Sequence, residues 1–124
     1  ERAVSYGIAD SVLFCGNKKD TWNYYQAMDF FVFPSRFEGL PGTVVEAQSA
    51  GLKCLISDTI AAEVDLTELV ERKCIEEEPE KWADYVLEQE HYERENRYEQ
   101  IAASGYDVRT QAGWYENFYL HGSV

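Results

Sequence analysis

The sequence predicts an α/β fold in which a sheet of parallel strands is flanked by helices. Short apolar segments alternate with longer amphipathic ones along the 124 residues, the order typical of α/β domains. The segment 29–33, Asp-Phe-Phe-Val-Phe, is apolar at consecutive positions, as expected of a central parallel strand that is covered on both faces. Pro34 ends this strand, because proline cannot donate to a strand ladder.

Three elements are predicted before this strand. Residues 1–7 have the pattern of a helix end that closes at Gly7, so we expect the chain to be part of a longer protein. Residues 12–16 form an apolar strand that ends at a glycine. A helix capped by Asp20 follows, and it carries the large side chains Trp22, Tyr25 and Met28.

Further elements are predicted after the strand at 29–33. Thr43 is a good N-cap, and Glu46 three residues later completes a capping box. The later elements are a strand at 52–57, a short helical turn at 63–69, a short strand at 73–75, a helix that opens at Pro79, a helix at 92–104 that ends near Gly105, and a last helix capped by Asp107.

The loop that starts at Pro34 is the candidate ligand site, because ligands bind at the carboxyl ends of strands in open α/β sheets. Gly39 and Gly42 allow a ligand to approach the backbone, and the first amides of the following helix favour a diphosphate. Glu46 either binds the ligand or only caps its helix, and the spacing leaves both interpretations open. Glu38 is either a surface charge or a ligand group, and we favour the second.

Several consecutive segments resemble the group 1 glycosyltransferases, which are glycosyltransferase family four and have the GT-B fold. Glu38 and Glu46 are separated by seven residues, as are two glutamates of the donor-binding signature of that family. Five segments match in order, namely residues 32–35, 38–41, 45–47, 50–51 and 54–58. The pair Leu40-Pro41 and residues 60–65 are most similar to enzymes that build bacterial capsular and exopolysaccharides. The resemblance covers roughly residues 1 to 120.

The resemblance implies roles for individual residues. Glu38 would approach the hydroxyls of the donor sugar and orient it in catalysis, and Glu46 would hold the ribose of the nucleotide. The backbone around Gly39, Leu40, Pro41, Gly42 and Thr43 would contact the sugar and the diphosphate. The family often has glycine and then an aliphatic residue where this chain has Pro41-Gly42, and it often has glycines where residues 58–60 stand here. The first departure affects which backbone amides would contact the donor, and the second affects the contacts expected from the loop after the strand at 52–57.

The resemblance also implies a domain organisation. A GT-B enzyme has two Rossmann-like domains with the active site between them, whereas 124 residues form one modest core. We therefore expect residues 1–124 to be a single truncated, partial Rossmann-like domain that binds a nucleotide-sugar. It would lack the first two βα units of the carboxyl-terminal domain and the whole amino-terminal acceptor domain. Such a piece has open sheet edges and apolar surface, so we expect it to self-associate and to be inactive by itself.

The expected reaction moves a sugar from a UDP- or GDP-linked donor to a glycan or lipid-linked acceptor, with retention at the anomeric carbon. No cofactor and no metal are expected, because GT-B enzymes do not require a bound metal and the sequence has no D-x-D pair. Two alternatives remain. One is a nucleotide-sugar 2-epimerase of the same fold, and the other is a non-catalytic binding or interaction module.

Composition limits the partners and the compartment. The net charge is −12 at pH 7, which makes nucleic acid an unfavourable partner. Ten acids are concentrated in one stretch, which we interpret as a solvated helix face: Glu76, Glu77, Glu78, Glu80, Asp84, Glu88, Glu90, Glu93, Glu95 and Glu99. Cys15, Cys54 and Cys74 have no metal-ligand spacing and are expected to be reduced core residues of a cytoplasmic protein. Contact with the inner face of a membrane would be made by the missing domain.

Overall fold

The computed structural model describes residues 1–89 and 91–122, and it has a small sheet flanked by helices. The helices are α1 (Arg2–Ser5), α2 (Thr21–Ala27), α3 (Gly42–Ser49), α4 (Pro79–Glu88), α5 (Tyr98–Ile101) and α6 (Val108–His121), with short 3₁₀ turns at Ala9–Ser11 and Ala62–Val64 and a π turn at Ala102–Tyr106. The strands are β1 (Phe31–Phe33), β2 (Cys54–Ser57) and β3 (Val70–Lys73).

The three strands are parallel and lie in the order β1-β2-β3. Phe31 pairs with Cys54, and Cys54 pairs in turn with Val70. All four residues of β2 are buried, as expected of a strand covered on both faces. The α/β prediction with parallel strands is therefore confirmed, but within the described sheet the covered central strand is β2, whereas β1 lies at an edge.

The core lies mainly between the sheet and α3. Val44 and Ala47 of α3 are completely buried, as are Leu52, Cys54 and Ile56 near and on β2. Gly51 turns the chain from α3 into β2 with a φ of 76°, a value that suits glycine. A Cβ at this position would also collide with the carbonyl group of Glu95. The small residues at the end of α3 thus allow the later segment around Glu95 to pack closely.

Several predicted strand and helix boundaries are wrong. The largest error, the strand predicted at 12–16, is explained by the absence of a neighbouring strand for it in the described sheet. Residues 12–16 are not a strand, and the side chains of Leu13 and Phe14 are each 84% exposed. An isolated strand needs a hydrogen-bonded neighbour to form, and this segment pairs with none of the described strands. The helix predicted from residue 92 begins only at Tyr98, because residues 92–97 have no regular secondary structure and the amide of Arg97 donates to the carbonyl oxygen of Ser49 at the end of α3. The strand predicted at 73–75 lies at Val70–Lys73 instead.

The capping box at the start of α3 is also wrong. The helix begins at Gly42 with Pro41 in the N-cap position, and no side chain caps it. The backbone amide of Val44 donates to the carbonyl oxygen of Pro41 at 3.0 Å. Thr43 therefore lies inside the first turn, and Glu46 is two residues too far along for a capping box.

Asp20 takes the N-cap position of α2, but its side chain makes no capping hydrogen bond, and the turn predicted at 63–69 is the 3₁₀ turn Ala62–Val64. The predictions for the starts of α4 and α6 agree with the structure. Pro79 occupies the first turn of α4, and Trp82 on this helix is buried. Asp107 caps α6 by accepting a hydrogen bond from the amide of Thr110 at 3.1 Å. The aromatic side chains of α6 are exposed, with Trp114 stacked on Phe118. Of the ten residues in the acidic stretch, Glu90 lies outside the described residues.

The three cysteines differ in exposure, so the expectation that all lie in the core is only partly right. Cys54 is buried, Cys15 is half-buried and Cys74 is exposed. Burial raises the pKa of the Cys54 thiol to about 12. Cys74 follows the last residue of β3 and therefore lies outside the sheet.

We expect thiol reagents at pH 8 to modify Cys74 first and to leave Cys54 unmodified in the folded protein. The thiolate is the reactive form, and a group with a pKa near 12 is almost entirely protonated at pH 8. Labelling with maleimide and peptide mass mapping should show Cys54 reacting more slowly than Cys74 by at least about tenfold. Denaturant should abolish the difference, and equal rates in the folded protein would contradict the buried position of Cys54.

Candidate functional site

The candidate site is the loop from Pro34 to Pro41, which joins β1 to α3 at the carboxyl edge of the sheet. It contains all the predicted donor-binding residues except those at the start of α3. Glu38 is half-buried, whereas Gly39 and Leu40 are exposed. The structure brings the predicted site residues together on one loop and the adjoining first turns of one helix, and their roles in binding remain predictions.

A chain of hydroxyl groups holds this loop against the end of β2. Ser35 donates from its Oγ to Oε1 of Glu38 at 2.8 Å. The carbonyl oxygen of Ser35 accepts from Oγ of the fully buried Ser57 at 2.6 Å and from Oγ1 of Thr59 at 3.3 Å. The Ser57 and Thr59 hydroxyls are themselves 2.5 Å apart. The position of the Glu38 carboxylate is thus linked through Ser35 to two side chains of the neighbouring strand end.

The backbone beyond Glu38 is open to a ligand. Within residues 1–89 and 91–122, the amides of Gly39, Leu40, Gly42 and Thr43 donate to no protein acceptor. A Cβ built at Gly39 or Gly42 would meet no atom within 4 Å, and neither glycine has a positive φ. These two glycines are therefore not required by the fold. They leave space in front of amides at the positive end of α3, which suits an anionic group.

The charged groups around the loop are arranged as follows. Arg36, the cation of the loop itself, forms an ion pair with Glu76, and both side chains are exposed. Asp58, after β2, accepts a hydrogen bond from the amide of Ile75 at 3.1 Å. In the described part of the chain, no group of three or more His, Cys, Asp or Glu residues is placed to hold a metal ion.

Glu46 lies about one helical turn beyond the open amides of Gly42 and Thr43, and it borders a separate cleft of about 380 Å³. We call it the aromatic cleft and define it by six residues: Trp22, Tyr25, Gln26, Glu46, Asn96 and Tyr98. Burial raises the pKa of Tyr25 to about 12, and the nearby negative charge of Glu46 adds to this effect. Glu46 makes no capping hydrogen bond in α3, and the residue is exposed where it borders the cleft.

One buried side chain that supports the site was not predicted. Gln48 is fully buried, and its Nε2 donates to the carbonyl oxygens of Val44 and Val64 at 3.2 and 2.8 Å. Its Oε1 accepts from the amides of Leu66 and Thr67 at 3.1 and 3.0 Å and from the Thr67 hydroxyl at 3.0 Å. A polar residue four positions after Val44, on the apolar stripe of a helix, was the sequence signal for this role.

Arg94 is a second supporting residue, and no sequence signal indicated it. Its guanidinium donates to the carbonyl oxygens of Tyr25, Gln26 and Met28 at the end of α2, at 2.7, 3.1 and 2.8 Å. It also donates to the carbonyl oxygen of Ala50 at 2.9 Å. The partners are 44 to 69 residues away along the chain. One cation therefore satisfies carbonyl groups at the ends of two helices that border the aromatic cleft.

Comparison with known families decides how this site is classified. Residues 1–89 match the family model described as glycosyl transferases group 1. The chain belongs to this family. The match includes the whole candidate loop, the start of α3 and Glu46, so the two glutamates stand in a genuine group 1 glycosyltransferase sequence.

Several relatives of this group 1 glycosyltransferase chain are named as sugar-transferring enzymes. It is 36% identical over 123 residues to EpsF of Bacillus subtilis, which is named as a glycosyltransferase; the alignment covers 96% of this chain and 32% of EpsF. It is 38% identical over 58 residues to the lipopolysaccharide core biosynthesis mannosyltransferase LpsB of Rhizobium meliloti, covering 47% of this chain and 16% of LpsB. It is 45% identical over 47 residues to the UDP-Gal:alpha-D-GlcNAc-diphosphoundecaprenol alpha-1,3-galactosyltransferase of Escherichia coli, covering 38% and 12%.

The chain spans about a third of the length of EpsF and less of the other two relatives. No solved structure gives a significant match. None of the helices among the described residues is both long enough and apolar enough to cross a membrane.

Proposed function

We propose that this chain is the donor-binding part of a glycosyltransferase that works in the biosynthesis of a cell-surface polysaccharide. The enzyme would transfer a sugar from a nucleoside diphosphate to a glycan or a lipid-linked acceptor, with retention at the anomeric carbon. Residues 1–124 would belong to the second domain of a GT-B enzyme, and the acceptor would bind to a domain outside this chain. We place the reaction in the cytoplasm, where nucleotide-sugars are made available to such enzymes.

One observation carries this proposal: two carboxylates flank a set of open backbone amides at the carboxyl edge of a parallel sheet. Glu38 lies before these amides in the loop, and Glu46 lies one turn into α3. The amides of Gly42 and Thr43 suit the diphosphate, and the carboxylates can accept hydrogen bonds from sugar hydroxyls. The named relatives include a mannosyltransferase and a galactosyltransferase, which supports a hexose as the transferred group.

The chemistry follows from this arrangement. The bond between the anomeric carbon and the diphosphate oxygen breaks, the acceptor oxygen bonds to the same carbon, and the proton of the acceptor hydroxyl leaves with the diphosphate. Negative charge grows on the diphosphate in the transition state, so amides directed at it lower the barrier. Glu38 orients the sugar, and Glu46 holds the ribose. No metal ion is required in this proposal.

The proposal is tested by isothermal titration of the full-length protein with UDP, GDP and their sugar conjugates. We expect one nucleotide to bind and Glu46→Ala to weaken it by about 10- to 100-fold, because a carboxylate that accepts hydrogen bonds from ligand hydroxyls contributes about 1.5–3 kcal/mol. Glu63→Ala, at an exposed acid of the 3₁₀ turn after β2, is the control and should bind as the wild type does. Failure of every nucleotide to bind would contradict the proposal and favour an interaction module.

A further inference from the structure

We propose that Ser57 is a positioning residue for the sugar transfer, because its hydroxyl, supported by that of Thr59, fixes Ser35 and through it the carboxylate of Glu38. This inference rests on the function proposed above and adds a residue that does not contact the donor. Ser57 is the last residue of β2 and is completely buried. It can therefore affect the reaction only through its neighbours.

The first argument is that the backbone alone does not hold the start of the loop. The pairing of β1 with β2 ends at Phe33. Amides that face β2 occur at every second residue from Phe31, so the next one would be that of Ser35. This amide instead donates to the carbonyl oxygen of Phe33 at 3.0 Å, and the carbonyl oxygen of Ser57 accepts from the amide of Ile60 at 3.3 Å. In the described part of the chain, no backbone hydrogen bond joins Ser35 to Ser57, and the Ser57 side chain makes the connection.

The second argument is the direction of the two hydroxyl groups. Oγ of Ser57 lies 2.6 Å from the carbonyl oxygen of Ser35 and 2.5 Å from Oγ1 of Thr59. The carbonyl oxygen can only accept, so the Ser57 hydroxyl donates to it and accepts from Thr59. The direct distance from Thr59 to the same carbonyl oxygen is longer, at 3.3 Å. Two hydroxyls in series polarise each other, which strengthens both hydrogen bonds.

The third argument is that the end of β2 is itself anchored in the sheet. Asp58 lies between the two hydroxyl residues, and its amide donates to the carbonyl oxygen of Lys73 at the end of β3, at 3.0 Å. Its Oδ1 accepts from the amide of Ile75 at 3.1 Å. The hydroxyls of Ser57 and Thr59 therefore extend from a backbone that is fixed on its far side.

The fourth argument is the short path from Ser57 to the catalytic carboxylate. The backbone of Ser35 is held at both its amide and its carbonyl group, so the origin of its side chain is fixed. Its Oγ donates to Oε1 of Glu38 at 2.8 Å. A displacement of about 1 Å in a reacting group can cost about 10²-fold in rate. Loss of the Ser57 hydroxyl would thus reduce turnover by allowing Glu38 to move.

The test measures kcat for sugar transfer and the Kd of the donor nucleotide in the full-length enzyme. Ser57→Ala should lower kcat by about 3- to 10-fold, the factor expected from one lost hydrogen bond, and change the Kd by less than about twofold. Thr59→Val removes the hydroxyl of an exposed residue and keeps its shape, so it should also lower kcat. Thr59→Ser, which keeps the hydroxyl, should restore it. The control Ser104→Ala removes an exposed hydroxyl from the turn Ala102–Tyr106 and should change neither quantity.

A double-mutant cycle with Glu38→Ala distinguishes a positioning role from a general structural one. If Ser57 acts through Glu38, Ser57→Ala should cause no further loss of kcat in the Glu38→Ala enzyme. Losses that multiply in the double variant would overturn the inference, because the hydroxyl would then act on another part of the enzyme. If Ser57→Ala does not fold, Thr59→Val takes its place in the same cycle, since Thr59 is exposed.

The outcomes separate this inference from the proposed function. If Glu38→Ala impairs transfer while Ser57→Ala and Thr59→Val keep the wild-type kcat, the inference is overturned and the donor site stands. A wild-type enzyme that transfers no sugar from any nucleotide would overturn both.

Discussion

Replacement of Glu38 by alanine should lower kcat of the full-length enzyme by about 10²- to 10³-fold, the loss typical of removing one group that stabilises the transition state. The Kd of the donor should change much less, because the base, ribose and phosphates bind elsewhere in the proposed site. The half-buried Glu38 side chain accepts one hydrogen bond, from Ser35. The melting temperature should therefore change little.

The measurement is steady-state transfer of labelled sugar, with donor binding determined separately by titration. Glu38→Gln keeps the shape of the side chain and can still accept the Ser35 hydrogen bond. Any loss of kcat in this variant is therefore due to the missing negative charge. Ser35→Ala removes only the contact that holds the carboxylate and should reduce kcat less than Glu38→Ala does. A Glu38→Ala enzyme with the wild-type kcat would remove Glu38 from the catalytic assignment.

Replacement of Gln48 by leucine should destabilise the protein by about 3 to 5 kcal/mol, since each buried polar group left without a partner costs about 1–3 kcal/mol. The substitution nearly conserves volume, so the cost comes from the lost hydrogen bonds and not from a cavity. The groups left without an acceptor are the amide and the hydroxyl of the buried Thr67, whereas the amide of Leu66 keeps its hydrogen bond to the carbonyl oxygen of Val64 at 2.9 Å.

Urea unfolding followed by circular dichroism measures this loss directly. Gln100→Leu is a matched control, because Gln100 is exposed and makes one hydrogen bond, to the carbonyl oxygen of Leu66 at 3.1 Å. This control should change the free energy of unfolding by less than about 1 kcal/mol. If the two variants had equal stability, Gln48 would not be the structural residue that its contacts indicate.

The sequence was sufficient to predict those parts of the fold that depend on local patterns. The continuous apolar runs at β1 and β2, the proline at the start of α4 and the aspartate that caps α6 each act within a few residues. The predicted strand at 12–16 did not form, because a strand depends on a partner that no local pattern supplies. The same reason explains why β1, although apolar on both faces, lies at the edge of the described sheet.

The site was predictable to a similar extent. The spacing of Glu38 and Glu46 and the glycines between them are visible in the sequence, and the structure places them on one edge of the sheet. The aromatic cleft was not predictable, because Trp22 and Tyr98 are 76 positions apart in the numbering (98 − 22) and meet only after α2, α3 and α5 have packed. Arg94 was missed for the same reason, since its partners are carbonyl groups and carry no side-chain signal.

The hydrogen bonds of Gln48 also determine the direction in which α3 faces. An α-helix turns by about 100° per residue, so Glu46, two residues earlier, points about 160° away from Gln48 around the helix axis. Four contacts from Gln48 to residues 64–67, outside α3, therefore oppose rotation of the helix about its axis. A roll of 20° would carry the outward carboxylate sideways by about 2 Å or more, given a side chain that reaches well beyond the 2.3 Å backbone radius. The direction of the exposed Glu46 carboxylate is thus determined by the side-chain amide of Gln48 on the opposite, buried face of α3.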